Sequence, residues 1–363
     1  MNIGIITFHS ARNYGAILQC YALQRYLIGN GHRVSIINYN NKTILKPYAI
    51  FSIRRILSKN PVTAVKRLYN EIYYFKTRLK RKQEFERFLK NEINLDTMPF
   101  LETSRFDLII VGSDQVWNFK LTGGFDSYYW GKFKKHSHPI LASYAASMMD
   151  SWEEKYSKDI ASCLDNFDYI SVREKSIANK LSVLTQKRVN IVVDPTLLLS
   201  KEQWSKLDGN DSLLDTQYLL LYQVNDSNRN VIIANQIARE LGVTVKILSA
   251  REDAVNSKSL RAASPYEFIS LFKHARFIVS SSFHGTVFSL IFNKPFVSIQ
   301  SGKNNENRVE TLLNYFNLGH LFISEYQSEK LKLYDNPQNV DIKNILSDSI
   351  KYLQMITNSL END

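Results

Sequence analysis

The serine-rich stretch SSSFHG at residues 280–285 has the side chains best suited to bind and protonate an anionic substrate. Ser281 and Ser282 precede a predicted helix, and a serine hydroxyl there can accept hydrogen bonds from the free amides of the first turn. A helix N-terminus also carries partial positive charge that attracts phosphate or carboxylate. His284 can donate a proton at this point, and Gly285 leaves the backbone accessible. The stretch therefore predicts an anion-binding turn that contains an acid–base group.

This turn belongs to a strand–helix–strand pattern, since apolar runs at 277–279 and 295–299 flank a helical pattern at 284–292. The same alternation of apolar strands and helices runs through the chain and predicts an α/β protein. Residues 2–39 predict a strand, a helix and a second strand, which is the start of a Rossmann-like half. The first loop lacks a complete dinucleotide glycine fingerprint, so it does not predict binding of a nicotinamide cofactor.

The 363 residues are enough for two domains, and the polar run 208–215 marks the predicted boundary. We predict an N-terminal Rossmann-like domain at 1–207 and a C-terminal Rossmann-like domain at 208–363 that ends in a helix. The first of these contains a helical insertion at about 44–90. Both domains are predicted to be doubly wound, as in a GT-B-like fold.

Ligands of parallel α/β sheets bind beyond the carboxyl ends of the strands. Candidate site residues therefore follow predicted strands or lie in neighbouring loops: His9, Asn13, Asp114, Gln115, Ser143, Tyr144, Arg173, Asp194, Asn225, Ser280, Ser281, Ser282, His284, Arg261, Lys303 and Arg308. Purely structural roles stay open for three of them. Arg173 could pair with Glu174, and Asp194 could cap a turn. Asp114 could cap the helix that follows it.

Composition argues against several classes of protein. Cys20 and Cys163 are too few for a disulfide framework or a four-thiolate metal site, and they suggest a reducing compartment. No histidine or carboxylate cluster has metal-ligand spacing, so no metal is expected. The first residues resemble a strand rather than a signal peptide, and no apolar run approaches the ~18 residues of a membrane span. We therefore expect a cytoplasmic protein.

The positive charge of the chain is concentrated in one segment. Residues 42–90 contain 14 Lys and Arg against 3 Glu, and this surplus equals the net charge of +11 for the whole protein. Apolar residues recur in it at helical spacing: Val65, Leu68, Ile72, Phe75 and Leu79. Either this stripe packs on the body of the protein and the lysines are solvated, or the segment touches anionic lipid. Nucleic acid is not expected as a partner, because no nucleic-acid-binding motif accompanies the charge.

Six sequence blocks, in this order, resemble the polysaccharide pyruvyl transferase family. They are FHSARNYGAILQCYALQRYL, DLIIVGSDQVWN, SYAAS, ISVRE, VVDPTLLL and SSSFHGTVFSLIFNKPFVSI, and they are distributed over most of the chain. The resemblance implies a GT-B-like fold. It also implies transfer of pyruvate from phosphoenolpyruvate to a sugar, as a ketal across two hydroxyls, in the synthesis of bacterial surface polysaccharides. No cofactor is implied, since phosphoenolpyruvate is itself the donor substrate.

The resemblance assigns Arg173 and His284 to the donor site. Many family members have an arginine two residues before this histidine, where this chain has Ser282. Another cation is expected to replace that phosphate contact: Arg261, Lys303 or Arg308. The predicted donor-binding residues are Arg173, Ser281, Ser282, His284, Gly285, Arg261, Lys303 and Arg308. The predicted acceptor-binding residues are His9, Asn13, Tyr14, Asp114, Gln115 and Tyr144. His284 is expected to bind phosphate or act as the acid, and Asp114 to bind or deprotonate the acceptor.

Two other functions stay open. A nucleotide-sugar-dependent glycosyltransferase could use the same fold, with Glu306 or Glu310 on the ribose. The second is a non-catalytic carbohydrate- or anion-binding protein, and the absence of an arginine at Ser282 is the one feature that supports it.

The basic segment gains a predicted partner from the resemblance to the pyruvyl transferases. It could rest on the anionic inner face of the cell membrane, as a peripheral contact, or meet the diphosphate of a polyprenyl-linked sugar acceptor. Charge reversal of a four-residue cluster is then expected to release the protein from anionic vesicles: Arg78, Lys80, Arg81 and Lys82.

Overall fold

The strands of this chain form two separate parallel sheets. The structure, a computed structural model, describes residues 1–96, 105–133, 139–148, 152–208, 217–251, 259–300, 306–336 and 340–359. Within these ranges the named strands pair only in parallel. Parallel strands are covered on both faces, which is why they appear in the sequence as continuous apolar runs. The predicted α/β class is confirmed.

The first sheet is built from residues before the predicted domain boundary. Its described strands are β1 Asn2–Ile6, β2 Arg33–Ile37, β3 Leu95–Asp96, β4 Leu108–Asp114, β5 Ile140–Ala146, β6 Ile170–Val172 and β7 Val189–Ile191. They lie in the order β3-β2-β1-β4-β5-β6-β7. The central strand β4 is buried along nearly its whole length and ends at Asp114, so its carboxyl end delivers a polar side chain to the edge where ligands bind.

The second sheet is built from residues after the boundary. Its described strands are β8 Tyr218–Gln223, β9 Thr244–Ser249, β10 Ser259–Leu260, β11 Phe277–Ser280, β12 Phe296–Ile299 and β13 Phe322–Ile323. They lie in the order β10-β9-β8-β11-β12-β13. The fully buried strand β11 lies inside this sheet, between β8 and β12, and leads directly into the serine-rich turn.

Helices connect these strands. They are α1 Tyr14–Gly29, α2 Lys42–Leu45, α3 Ile53–Ile56, α4 Pro61–Glu92, α5 Phe119–Thr122, α6 Ser157–Leu164, α7 Lys175–Leu181, α8 Lys201–Ser205, α9 Asn228–Leu241, α10 Pro265–His274, α11 Phe283–Ile291, α12 Glu306–Tyr315, α13 Leu331–Tyr334 and α14 Ile342–Asn358. Local chemistry sets their ends. For example, the Ser264 side chain caps α10 in a capping box, and Gly242 ends α9 in the left-handed conformation with φ 67°.

The long helix α4 packs on the body by a charged face rather than by its apolar stripe. Its buried residues are Glu71, Arg78, Arg81, Phe85 and Phe88. Burial of this face is possible because Glu71 forms salt bridges with Arg55 at 2.7 Å and with Arg78 at 3.0 Å. Four residues of the predicted stripe are exposed instead: Val65, Leu68, Ile72 and Phe75. The prediction that the stripe packs on the body is therefore wrong, and Arg78 does not belong to an exposed basic cluster.

Arg81 of α4 is fully buried and joins the two domains, although the sequence suggested an exposed residue. Its Nη1 donates to the carbonyl of Arg261 at 2.9 Å and to the Tyr14 hydroxyl at 3.2 Å. Its Nη2 donates to the carbonyls of Arg12 at 3.1 Å and Ala250 at 3.0 Å. One guanidinium therefore holds the loop before α1 together with two loops of the second domain.

The helix α14 returns to the first domain, although it follows the second sheet in the chain. The Tyr352 hydroxyl donates to the carbonyl of Ser143 in β5 at 2.7 Å. The Ser349 hydroxyl accepts from the amide of Val193 at 2.9 Å. The chain therefore passes between the domains a second time after the boundary near residue 208.

Candidate active site

Two helix N-termini meet at His284. In the first domain α1 begins after Asn13, whose side chain accepts from the amide of Ala16 at 3.3 Å. In the second domain α11 begins after Ser282. A Cβ placed on Gly15 would lie 2.1 Å from His284 Nδ1, so the imidazole packs directly on the first turn of α1. Both helices bring the positive ends of their dipoles to the same place.

The serine-rich turn is held by a different serine from the one predicted. Ser282 occupies the N-cap position of α11, but its side chain makes no capping hydrogen bond. Instead Ser280 Oγ accepts from the Ser282 amide at 3.1 Å, and the Ser281 amide donates to the carbonyl of Tyr222 at 3.1 Å. Gly285 is buried rather than accessible, because a Cβ there would lie 2.0 Å from Ser280 Oγ. This glycine is required for close packing of α11 on β11.

Beneath His284 lies a buried ion pair. Arg173 Nη1 donates to Asp194 Oδ2 at 2.5 Å, and the same carboxylate oxygen is 3.6 Å from His284 Nε2. Asp194 Oδ1 accepts from the amide of Thr196 at 3.0 Å and from its hydroxyl at 2.7 Å. Burial alone raises the pKa of this carboxyl, but His284, Arg173 and Thr196 together hold it well below its usual range. Asp194 is therefore ionised and available to stabilise a protonated imidazole.

Two arginines flank the ring of Phe283 at the start of α11. The guanidinium carbon of Arg173 lies 5.0 Å from the ring centroid, and that of Arg308 lies 5.4 Å from it. Burial, followed by repulsion from Arg173, lowers the pKa of Arg308 to about 10. Arg173 Nη2 is buried and has no hydrogen-bond partner among the described residues. The guanidinium also pairs through Nε with Glu174 at 3.3 Å, as the sequence suggested, so Nη2 is the part of Arg173 left for an added anion.

Phe283, His284 and Arg308 open onto a cleft of about 410 Å³ between the domains. One wall comes from the first domain and includes Asn13, Asp114 and Gln115, and the other comes from the second domain and includes His284 and Arg308. The insertion supplies a third wall: Thr43, Ile44, Pro47 and Tyr48. Asp114 has φ 66°, which is unusual for a residue with a side chain and is found at functional sites. The cleft thus combines a cationic end with a carboxylate on the opposite wall.

Several predicted site residues do not line this cleft, among them Ser143, Asn225, Ser281 and Gly285. Tyr14 is buried and donates its hydroxyl to the carbonyl of Ala263 at 2.7 Å, so it joins the domains. Tyr144 is buried in β5 close to Tyr352. His9 is buried, with Nε2 3.2 Å from Asn38 Oδ1, and burial lowers its pKa.

Arg261 also lies away from the cleft, with its guanidinium over Tyr74 of α4, 5.3 Å from the ring centroid. It is therefore not the cation beside Ser282. Lys303 lies outside the described residues. Of the two described cations expected to replace the missing arginine, Arg308 lines the cleft and Arg261 does not.

Asp194 has a larger role than its sequence context indicated, and the sequence did not place the predicted insertion on the wall of the cleft. Asp194 appeared only as a strand-end residue with an alternative role as a turn cap, and it has both roles: it caps the short 3₁₀ turn Pro195–Leu198 and lies beneath His284. No signal in the sequence placed Tyr48 on the cleft, because the segment carries no chemical motif.

Among the described residues, no group of three or more His, Cys, Asp or Glu is arranged to hold a metal ion. The helices in the same part of the chain include none that is both long and apolar enough to cross a membrane.

Comparisons with known proteins agree on family and fold. The polysaccharide pyruvyl transferase family model matches residues 13–302. No curated protein matches the chain. The UDP-GlcNAc 2-epimerase from Methanocaldococcus jannaschii superposes with a TM-score of 0.52 at 14% identity, over 98% of this chain and 99% of that one. The UDP-GlcNAc 2-epimerase from Neisseria meningitidis, bound to UDP-GlcNAc, gives 0.50 at 10% identity, over 98% and 100%. At such identities the likeness establishes the fold alone, which is GT-B-like as predicted.

Proposed function

Because the chain belongs to the polysaccharide pyruvyl transferase family, we propose that it transfers pyruvate from phosphoenolpyruvate to a sugar. The product is a ketal that joins two sugar hydroxyls, inorganic phosphate is released, and the acceptor is a unit of a bacterial surface polysaccharide. The observation that carries this proposal is the position of His284. It lies against the first turn of α1, above the Asp194 carboxylate and close to Arg173 and Arg308.

The charge beside His284, to which Arg173 of the first domain and Arg308 of the second contribute, suits a donor with a phosphate and a carboxylate. Two arginines in a half-buried site repel each other, and a bound anion would relieve that repulsion. Helix N-terminal amides and guanidinium groups are the usual ligands of phosphate. Other family members contact the phosphate through an arginine at the position of Ser282. We assign this contact to Arg308 here, since Ser282 and Arg308 both line the cleft.

His284 is assigned as the acid. It protonates the methylene carbon C3 of phosphoenolpyruvate, which leaves C2 electrophilic. One sugar hydroxyl attacks C2 and loses its proton, the bond between C2 and the phosphate oxygen breaks, and phosphate leaves with the electron pair. The second hydroxyl then attacks C2, loses its proton and closes the ketal. Asp194 keeps the imidazole oriented and stabilises its protonated form, while the arginines support the leaving phosphate.

The acceptor is assigned to the opposite wall. Asp114 and Gln115 face the cleft from the end of β4, and a carboxylate there can accept the hydroxyl protons. Asn13 and the insertion residue Tyr48 add polar groups at the same opening. No fixed metal is needed for this sequence of steps.

Calorimetric titration with phosphoenolpyruvate tests the donor assignment. We expect binding to the wild-type protein and a loss of about 10- to 100-fold in affinity for Arg308→Met, since a charge-assisted contact to phosphate contributes about 1.5–3 kcal/mol. His284→Asn is expected to abolish or strongly weaken binding. Arg239→Met is the matched control, because Arg239 is exposed on α9 in the same domain and should bind phosphoenolpyruvate like the wild type.

A parallel titration with UDP-, GDP- and CMP-sugars separates the alternatives. Binding of a nucleotide-sugar without binding of phosphoenolpyruvate would replace the proposal with glycosyl transfer. Unchanged affinity in Arg308→Met would remove that residue from the donor site.

A further inference from the structure

The first half of α4 presents an apolar face that nothing in the described structure covers. Val62, Val65, Tyr69 and Ile72 are exposed to 78%, 67%, 65% and 64%, which is unusual for side chains of this type. Tyr73 is also exposed, and its ring lies 6.0 Å from that of Tyr69 in a stacked arrangement. These residues recur at alternating intervals of three and four, so they occupy one side of the helix.

Exposed lysines share this side of the helix. Lys66, Lys76 and Lys80 follow the same three- and four-residue spacing. We call the combined set the α4 surface: Val62, Val65, Lys66, Tyr69, Ile72, Tyr73, Lys76 and Lys80. The α4 surface contains aliphatic groups, tyrosines and basic groups but no acid.

The absence of exposed acid extends beyond the α4 surface. Between residues 42 and 83 the sequence contains one acidic residue, Glu71. Its carboxylate is buried and is neutralised by Arg55 and Arg78. The positive potential of the exposed lysines is therefore not compensated locally, and the complementary partner is anionic.

We propose that the α4 surface docks on an anionic lipid bilayer. Aliphatic and tyrosine side chains at the centre with lysines among them are typical of helices that lie in the headgroup region. A second copy of this chain is a poor occupant, because pairing two α4 surfaces would bring the three lysines of one copy against those of the other. The inference does not depend on the reaction proposed above.

The position of the insertion gives the docking a geometric consequence. Thr43, Ile44, Pro47 and Tyr48 line the cleft, and the exposed Phe51 follows Tyr48 by three residues. The insertion therefore extends from the wall of the cleft to the α4 surface. A bilayer on the α4 surface would therefore contact the same insertion that forms one wall of the cleft.

Vesicle co-sedimentation tests the proposal. The anionic vesicles contain phosphatidylcholine and phosphatidylglycerol, and the neutral vesicles contain phosphatidylcholine alone. The wild-type protein is expected to bind the anionic vesicles and to be released as salt rises. The triple variant Lys66→Glu, Lys76→Glu, Lys80→Glu is expected to bind at least about tenfold more weakly. The triple variant Val65→Ser, Tyr69→Ser, Ile72→Ser is expected to lose binding while it keeps its charge.

Matched controls are available elsewhere on the surface. One control is a triple variant that changes the net charge by the same amount at exposed sites outside the insertion: Lys158→Glu, Lys180→Glu, Lys332→Glu. The other control is Ile232→Ser, which removes an exposed apolar side chain from α9. Both controls are expected to bind vesicles nearly as the wild type does. Circular dichroism of each variant confirms that the helices are intact.

Three results would overturn the proposal. The first is that the wild-type protein does not bind anionic vesicles. The second is that the control lysine triple variant loses as much vesicle binding as the Lys66 triple variant. The third is a dimer in sedimentation velocity that the Val65 triple variant abolishes, without any vesicle binding. The charge cluster suggested by sequence is unsuitable for this test, because Arg78 and Arg81 are buried and their reversal would disturb the fold.

Discussion

At the scale of single residues, the site depends on which way a side chain points, and sequence position does not determine that. The rule that ligands bind beyond the carboxyl ends of parallel strands selected His9, Asp114 and Tyr144 alike. Asp114 lines the cleft, whereas Tyr144 and His9 are buried elsewhere. The family resemblance was more selective, since His284 and Arg173 do lie together with Asp194. Asp194 could not be chosen from sequence, because an aspartate at the end of a strand fits the role of a turn cap and the role of a histidine partner equally well.

Gly15→Ala tests the contact between α1 and the imidazole. The added methyl would lie 2.1 Å from His284 Nδ1, so the imidazole must move. We expect about tenfold weaker binding of phosphoenolpyruvate in calorimetry, because displacement of the imidazole removes a charge-assisted contact. The melting temperature is expected to change little, since alanine is a better helix former than glycine.

The control is Gly29→Ala in the same helix. No atom lies within 4 Å of a Cβ at that position, so its affinity for phosphoenolpyruvate should equal that of the wild type. Equal affinities for Gly15→Ala and Gly29→Ala would show that the contact with α1 does not position His284.

At the scale of elements, strands and short helices were predictable and the orientation of α4 was not. The strand β11 and the helix α11 appear within one or two residues of their predicted bounds, because buried parallel strands are continuous apolar runs. In α4 the apolar periodicity is equally clear, yet the helix buries the side that carries Glu71, Arg78 and Arg81. Periodicity rules place apolar residues inside. They cannot anticipate guanidinium groups that find carbonyl and carboxylate partners from distant segments.

Arg81→Met tests the role of α4 as a bridge between the domains. Methionine preserves much of the side-chain volume but removes the donors to the carbonyls of Arg12, Ala250 and Arg261. Buried carbonyls that lose their partners are costly, so we expect the free energy of unfolding to fall by about 3 kcal/mol or more. Chemical denaturation measures the difference. Lys80→Met, one residue away and exposed, should leave stability nearly unchanged. Equal stability of the two variants would argue against the bridge.

At the scale of the whole molecule, two parallel sheets direct their carboxyl ends at one cleft. The order of apolar runs in the sequence was sufficient to predict this architecture. The contacts that fix the domains against each other were not predictable, because they join residues far apart in the chain. Arg81 and Arg261 are one such pair, and Tyr352 and Ser143 are another.

The acid stability of the molecule depends in part on Asp208, beside the boundary between the sheets. Its carboxylate accepts from Lys273 at 2.6 Å, lies 2.8 Å from His274 Nε2, and accepts from the Ser270 hydroxyl at 2.7 Å. Burial raises the pKa of this carboxyl, but these three partners lower it to about 2. A carboxyl with a depressed folded pKa stabilises the protein above its unfolded value of about 4, and this contribution is lost as pH falls through the folded pKa.

Asp208→Asn is therefore expected to be less stable than the wild type near neutral pH, by about 1–2 kcal/mol. The difference should shrink as pH falls from about 4 towards 2, where the wild-type carboxyl is itself protonated. Thermal denaturation as a function of pH measures it. Asp348→Asn, at an exposed position on α14, should follow the wild type throughout. A constant gap between Asp208→Asn and the wild type at all pH values would contradict this account.

The return of α14 to the first domain has a consequence for how the protein is made. Val193 bonds to Ser349 and Ser143 bonds to Tyr352, and a ribosome synthesises these two partners only after both sheets have been translated. The first domain therefore cannot complete its surface during synthesis of its own residues, whereas the second sheet can assemble as soon as β13 emerges. The second sheet can therefore be complete before the first domain receives its last helix.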